Sequence, residues 1–164
     1  MTVIDSLEFA RTAQTLSGNL PVPELARLRD SLFDDSGEVR FEVRGARDAR
    51  RRPVLALDIS GVLHLRCQRC LGMMDYPLRI SNTLLLVSAG EAAAGSLDDE
   101  ESEWIEASAA LDVASLVEDE IILGLPYAPR HGEGQCGHGG TSAKADNAGN
   151  AAFTRLAALK RNSN

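Results

Sequence analysis

The sequence predicts an α+β fold: an antiparallel β-meander or partial barrel, preceded by a short helix, with a second helix packed on the sheet. Three observations carry this. Apolar and polar residues alternate in three stretches between Val39 and Val87. One later stretch, from Val113 to Leu125, carries its apolar residues at helical spacing instead. Between the second and third alternating stretches stands Cys67-Gln68-Arg69-Cys70, and a histidine and a third cysteine follow the helical stretch. A knuckle-like Cys/His cluster therefore belongs to the predicted architecture.

The elements follow in chain order. Pro21-Val22-Pro23-Glu24 opens a run in which Leu25, Leu28 and Leu32 recur at helical spacing. Proline is tolerated in a first turn, where its missing N–H has no partner in any case. A short helix is expected over about 22–32, stopped by Asp34-Asp35-Ser36-Gly37. Val39, Phe41 and Val43 then alternate with Glu38, Arg40, Glu42 and Arg44, the pattern of a half-buried strand. After a polar turn over 45–52, Leu55, Leu57, Ile59, Gly61, Leu63, Leu65 and Cys67 keep an unbroken period of two. The two strands read as a hairpin with an arginine-rich tip. The segment from Tyr76 to Val87 supplies a third strand, and Trp104-Ile105 a short edge strand. Asp112 is a suitable N-cap for a helix whose stripe is Val113, Leu116, Val117, Ile121 and Leu125, ended by Gly124 and Pro126. Glu120 shares that stripe and is expected at its rim, or else paired with an arginine.

The 44% hydrophobic and 25% charged fractions are near globular averages, which excludes wholesale disorder. Residues 1–136 are expected to form one globular domain. Residues 137–164 read as a flexible Gly/Ala/Asn linker with a short amphipathic end, Phe153, Leu156 and Leu159. The first twenty residues lack a basic region followed by an apolar run, and no stretch is apolar enough to span a bilayer. With an odd cysteine count, three, a reducing and cytoplasmic setting is expected, with no membrane partner.

The net charge of −7 conceals an asymmetry. Residues 91–128 carry 11 acids and no base, whereas the stretch 40–52 carries six arginines against Glu42 and Asp48. The whole chain repels a polyanion at long range, and this one stretch attracts it. Arg47, Arg50, Arg51 and Arg52, with Arg69 from the C-x-x-C segment, are the candidate phosphate contacts, because guanidinium forks match phosphate oxygens. With only 4% aromatic residues, recognition of single strands by stacked rings is not expected. The acidic run over 91–103 reads as a solvated loop.

C-x-x-C spacing serves thiol redox chemistry or metal binding. A redox pair sits at a helix N-terminus, where the dipole stabilises a thiolate. Here the pair follows a long strand and precedes Gly72, which is a hairpin tip with no helix dipole to lower a thiol. That is the setting of half a zinc knuckle. Pro126 and Pro129 hold the helix exit extended, so that His131 and Cys136 can join Cys67 and Cys70 in a closed, structural Cys3His zinc site. His138 is a spare ligand, while His64, on an outer strand face, reads as a surface residue. Metal-free buried thiols and a redox pair are the alternatives. No phosphate-binding glycine loop, nucleophile elbow or His-Glu-x-x-His motif is present, so a binding module is expected and not an enzyme.

Three blocks together resemble the YceD family. They are Leu65 to Leu71 around the two cysteines; Leu116 to Pro126 with Pro129, His131 and Cys136; and the terminal Asn150-Ala151-Ala152-Phe153 with Leu156, Leu159 and Lys160. Where the family carries Asn-Pro-Phe, two alanines intervene here. The resemblance implies a role without known catalysis in ribosome biogenesis, in the processing or accumulation of large-subunit ribosomal RNA. The implied partner is ribosomal RNA or a pre-ribosomal particle. An adaptor whose acidic segment binds a basic ribosomal or RNA-processing protein is the other reading.

Overall fold

The computed structural model describes residues 2–90 and 103–136. In chain order the elements are β1 (Val3–Ile4), α1 (Ser6–Arg11), β2 (Thr15–Pro21), two 3-10 helices (Val22–Glu24 and Ala26–Ser31), β3 (Glu38–Arg47), β4 (Pro53–Arg66), β5 (Met73–Val87), β6 (Trp104–Glu106), β7 (Leu111–Asp112) and α2 (Val113–Gly124). Strands β2 to β6 form one open sheet in sequence order, and β1 pairs with β7 in a separate ribbon. The predicted meander is its centre: β3 runs antiparallel to β4 from Val39↔Gly61 to Arg47↔Pro53, and β4 to β5 from Val54↔Leu85 to Arg66↔Met73. The predicted edge strand is β6, parallel to β5 over Leu85–Val87. The predicted solvated loop lies mostly, and the tail over 137–164 wholly, outside the described residues.

Period two puts Val39, Phe41 and Val43 of β3, and Leu55, Leu57, Ile59, Leu63 and Leu65 of β4, into one buried layer. Helix α2 covers that layer with Val113, Leu116, Val117 and Ile121. Asp112 caps it as expected, its carboxylate accepting the Ala114 N–H at 3.0 Å. Helix α1 lies against β3 backbone to backbone. A Cβ on Gly45 would stand 2.2 Å from the Phe9 carbonyl oxygen, so no larger residue fits there.

The expected helix over 22–32 is instead the pair of 3-10 helices, interrupted at Leu25. The buried residues explain it. Val22, Leu25 and Leu28 are spaced by three, matching the three-residue turn of a 3-10 helix and not the 3.6 of an α-helix. Leu32 then leaves helical geometry and bridges to Leu65 of β4.

Glu120 is not at the rim, and among the described residues it is not paired with an arginine. It is buried, and its carboxylate accepts from the Asn82 amide at 2.9 Å. The arginine-paired acids are its neighbours: Glu118 takes the Arg27 backbone N–H and Nε, each at 2.7 Å, and Asp119 takes Arg27 Nη1 at 2.5 Å.

His64 is half-buried on the outer sheet face. Its Nδ1 stands 2.9 Å from Asp34 and its Nε2 3.6 Å from Asp75. The Ser36 hydroxyl, then His64, holds the Asp34 carboxyl down at about 2, and Asp34 raises His64 against an opposing effect of burial. The imidazole's stabilisation is full below its unfolded pKa, about 6.5, and is lost as pH rises through its raised value. Asp34's is present above about 3.9 and is lost as pH falls through the folded value. The melting-temperature advantage of the parent over His64→Gln is therefore expected to be larger at about pH 5.5 than at about pH 8.5. An advantage that grows with pH would refute this pairing.

Candidate metal centre and arginine turn

Strand β4 ends at Arg66, and the chain reverses into β5 through Cys67 to Gly72. The Cys67 N–H donates to the Gly72 carbonyl at 2.9 Å, and the Leu71 N–H to the Cys67 carbonyl at 2.8 Å. Leu71 takes a φ of 59°, the left-handed twist that closes so tight a reversal. Within it the Arg69 N–H points at the Cys67 sulfur, 3.5 Å away.

After α2 the chain returns to this tip, where the Pro129 carbonyl accepts the Gln68 N–H at 2.8 Å. That bond delivers His131. Its Nε2 lies 3.0 Å from the Met73 carbonyl oxygen, which only accepts, so Nε2 carries the proton and Nδ1 presents a lone pair. Nδ1 faces Cys70 Sγ at 3.4 Å and Cys136 Sγ at 3.7 Å, and Cys67 Sγ is 3.9 Å from Cys136 Sγ. The ligand atoms of Cys67, Cys70, His131 and Cys136 all lie within 4.8 Å of one another, so this group could hold a metal ion. All three cysteines are free thiols, Cys67 fully buried and the others partly so.

The tip differs electrostatically from expectation. Burial pushes the Cys67 thiol up, but backbone N–H groups of Cys70, His131 and Arg69 outweigh it and bring the thiol down to about 5. The Arg69 guanidinium lowers Cys136, against burial. For Cys70 the Gly72 N–H pulls down, yet burial and the neighbouring sulfurs prevail and raise it. Cys136, then Cys67, raises His131. A hairpin tip can thus lower a thiol without a helix dipole, because a tight turn aims several peptide N–H groups at one sulfur. Alternation and motif spacing carry no signal of that effect.

The predicted arginines divide. Arg47, Arg50, Arg51 and Arg52 come together in the β3–β4 turn. Arg69 does not join them; its Nε donates to Cys136 Sγ at 3.0 Å and its Nη2 to the carbonyls of His131 and Gly132 at 3.3 and 3.2 Å. The fourteen residues of β4 separate the turn from the cysteines, roughly 45 Å at the rise of an extended strand. Asp48, which sequence reasoning treated only as a counter-charge, organises the turn. Its carboxylate accepts the Arg50 and Arg52 N–H groups at 2.9 and 2.8 Å and the Arg52 Nε at 2.7 Å. Arg47 Nη1 donates to the Arg51 carbonyl at 3.2 Å, and Arg51 stands at a φ of 64°. An aspartate bonding to N–H groups two and four residues on is a turn signal that the sequence did contain.

Residues 55–160 match the family model described as Large ribosomal RNA subunit accumulation protein YceD. All four Cys/His residues fall within the match, and the arginine turn lies just before it. No solved structure matches the chain. Among the described residues, no helix is long and apolar enough to cross a membrane.

Proposed function

The chain belongs to the YceD family, and from that premise we propose that it is a non-enzymatic factor in ribosome biogenesis, held together by a structural zinc ion and contacting large-subunit ribosomal RNA or a pre-ribosomal particle in the cytoplasm. The family's description supplies the link to large-subunit ribosomal RNA accumulation. The observation that supports direct contact is the arginine turn, with Arg47, Arg50, Arg51 and Arg52 at one end of the β3–β4 hairpin in a chain of net charge −7. Binding of a large-subunit ribosomal RNA fragment by the purified protein, weakening steeply as salt rises, is the expected result. Absence of RNA binding, with co-purification of a basic ribosomal or RNA-processing protein, would favour the adaptor reading instead. The acids without a base over 91–120, two of them the buried Glu118 and Glu120, support that second reading.

The donor set fits zinc. With Zn–S near 2.3 Å and Zn–N near 2.0–2.1 Å, a tetrahedron has S···S edges of about 3.8 Å and S···N edges of about 3.6 Å. Three of the six separations, 3.9, 3.4 and 3.7 Å, are close to these edges, and all six lie within 4.8 Å. His131 also has the second bond that zinc-binding histidines make, from its far nitrogen to a carbonyl. Cys67, Cys70, His131 and Cys136 would hold the ion, and four protein ligands leave no position for a reacting water. The ion would supply a cross-link from the α2 exit to the β4–β5 tip.

The lowered Cys67 thiol raises the redox alternative again, since a depressed thiol suits exchange as well as ligation. The convergence of His131 and Cys136 on the pair favours ligation. Insulin reduction by the purified protein is expected at background rate. Turnover well above that of a free dithiol would make Cys67 and Cys70 a redox pair.

A further inference from the structure

We infer that the hollow beside the arginine turn accepts one unpaired nucleobase bearing an exocyclic amine, from an RNA whose phosphates lie on that turn; this rests on the RNA-contact reading above. The hollow has a volume of about 310 Å³ and is lined by residues of the turn, of β4 and β5, and by Glu103. That is at the low end for small-molecule pockets and suits one flat heterocycle, not a base pair.

Its floor is apolar. Val54 and Leu85 face each other across β4 and β5 and, with Val87 and Ala46, form a small cluster separate from the main core. Further along β4 the same face is mixed, with Asp58, Ser60, His64 and Arg66 set among Ala56 and Val62. One wall is Arg52, whose Nε is tied to Asp48 at 2.7 Å, which fixes the position of the guanidinium. Guanidinium planes stack on unpaired bases as aromatic rings do, which matters in a chain so poor in rings. The rest of the lining is Asn82 and Thr83 of β5 with Glu103. Among the described residues, β6 pairs with β5 from Leu85 onward. Glu103, just before β6, sets its carboxylate against the Asn82 amide. A carboxylate accepts from the amino group of cytosine, and equally from those of adenine and guanine, whereas uracil has none.

Fluorescence anisotropy of the full chain with three strands of about twelve nucleotides tests this: oligocytidine, oligouridine and an abasic ribose-phosphate strand. Oligocytidine is expected to bind at least about fivefold tighter than oligouridine, with the abasic strand weakest. Glu103→Gln is expected to abolish the cytidine-to-uridine ratio. The ratio is the readout, because removing a carboxylate strengthens all three strands alike. Thr83→Leu, which narrows the hollow, is expected to bring both base-bearing strands to the abasic level. Equal binding of all three strands, with dependence on Arg50 and Arg51 intact, overturns the pocket alone, as does a ratio unchanged in Glu103→Gln. Failure to bind any strand overturns the RNA reading together with the pocket.

Discussion

Protein purified without chelator is expected to hold about one zinc ion per chain, and its removal is expected to lower the melting temperature sharply. Apparent binding energies for structural zinc are on the order of 10 kcal/mol, and binding of this kind is coupled to folding. The arm carrying His131 and Cys136 shows why the coupling should be strong here. Beyond Pro129 its described contacts with the hairpin tip are the His131 bond to Met73 and those from Arg69, alongside the sulfur contacts themselves. Without an ion, three sulfurs are crowded within 4.8 Å, one at the buried end of β4. Cys70→Ser and Cys136→Ser should each abolish stoichiometric zinc. Both leave the backbone bonds that close the Cys67–Gly72 reversal, so the loss in each reads the ion and not the turn. Metal analysis with calorimetry, before and after chelation, reads both. Three freely titrating thiols in a native protein that melts the same with and without chelator would end the zinc reading.

What the sequence disclosed depended on how redundantly each element was encoded. Strand β4 repeats its inward apolar residue from Leu55 to Leu65 with only Gly61 standing apart, so one misleading position could not hide it. Strand β2 was invisible because it has two apolar residues, Leu16 and Leu20, around Gly18. Glycine stands there since a Cβ would press on the Phe41 ring at 3.1 Å, a tertiary reason that no local pattern displays. The 22–32 segment was legible as helical but misjudged in type, because Leu25, Leu28 and Leu32, spaced by three and then four, read as an α-helix, while the spacing of three from Val22 through Leu25 to Leu28 decides the fold.

The Cys/His group was legible for a different reason. Its four members come from two segments that each end in a turn signal, Gly72 after the cysteine pair and Pro126 with Pro129 before the arm. The role of Arg69 was not legible. Nothing in Cys-Gln-Arg-Cys distinguishes an arginine that reaches outward from one that folds back on Cys136; the distinction depends on where the arm returns. Glu118 and Glu120 show the same limit. Both lie on buried positions of α2, and only the neighbouring elements decide that one meets Arg27 and the other Asn82.

At the arginine turn, replacing Arg50, Arg51 and Arg52 together by Ser is expected to weaken RNA association and flatten its salt dependence. Each lost phosphate contact should reduce the slope of log K against log salt by roughly 0.7 to 0.9, so three should reduce it by roughly 2 to 3. The structure complicates the triple variant in one way. Arg52 is bonded to Asp48, so its loss also loosens the turn and leaves Asp48 with fewer donors. The double variant Arg50→Ser with Arg51→Ser keeps that bond, and its expected slope reduction is roughly 1.4 to 1.8. Because the turn stands roughly 45 Å along β4 from the cysteines, both variants should retain their zinc. Slopes that fall with the number of arginines removed, at constant zinc content, would show that the turn meets phosphates directly. A double variant that binds like the parent at every salt concentration would leave the turn as a solvated reversal, and the adaptor reading, in which the acidic 91–120 segment binds a basic partner, would move to first place.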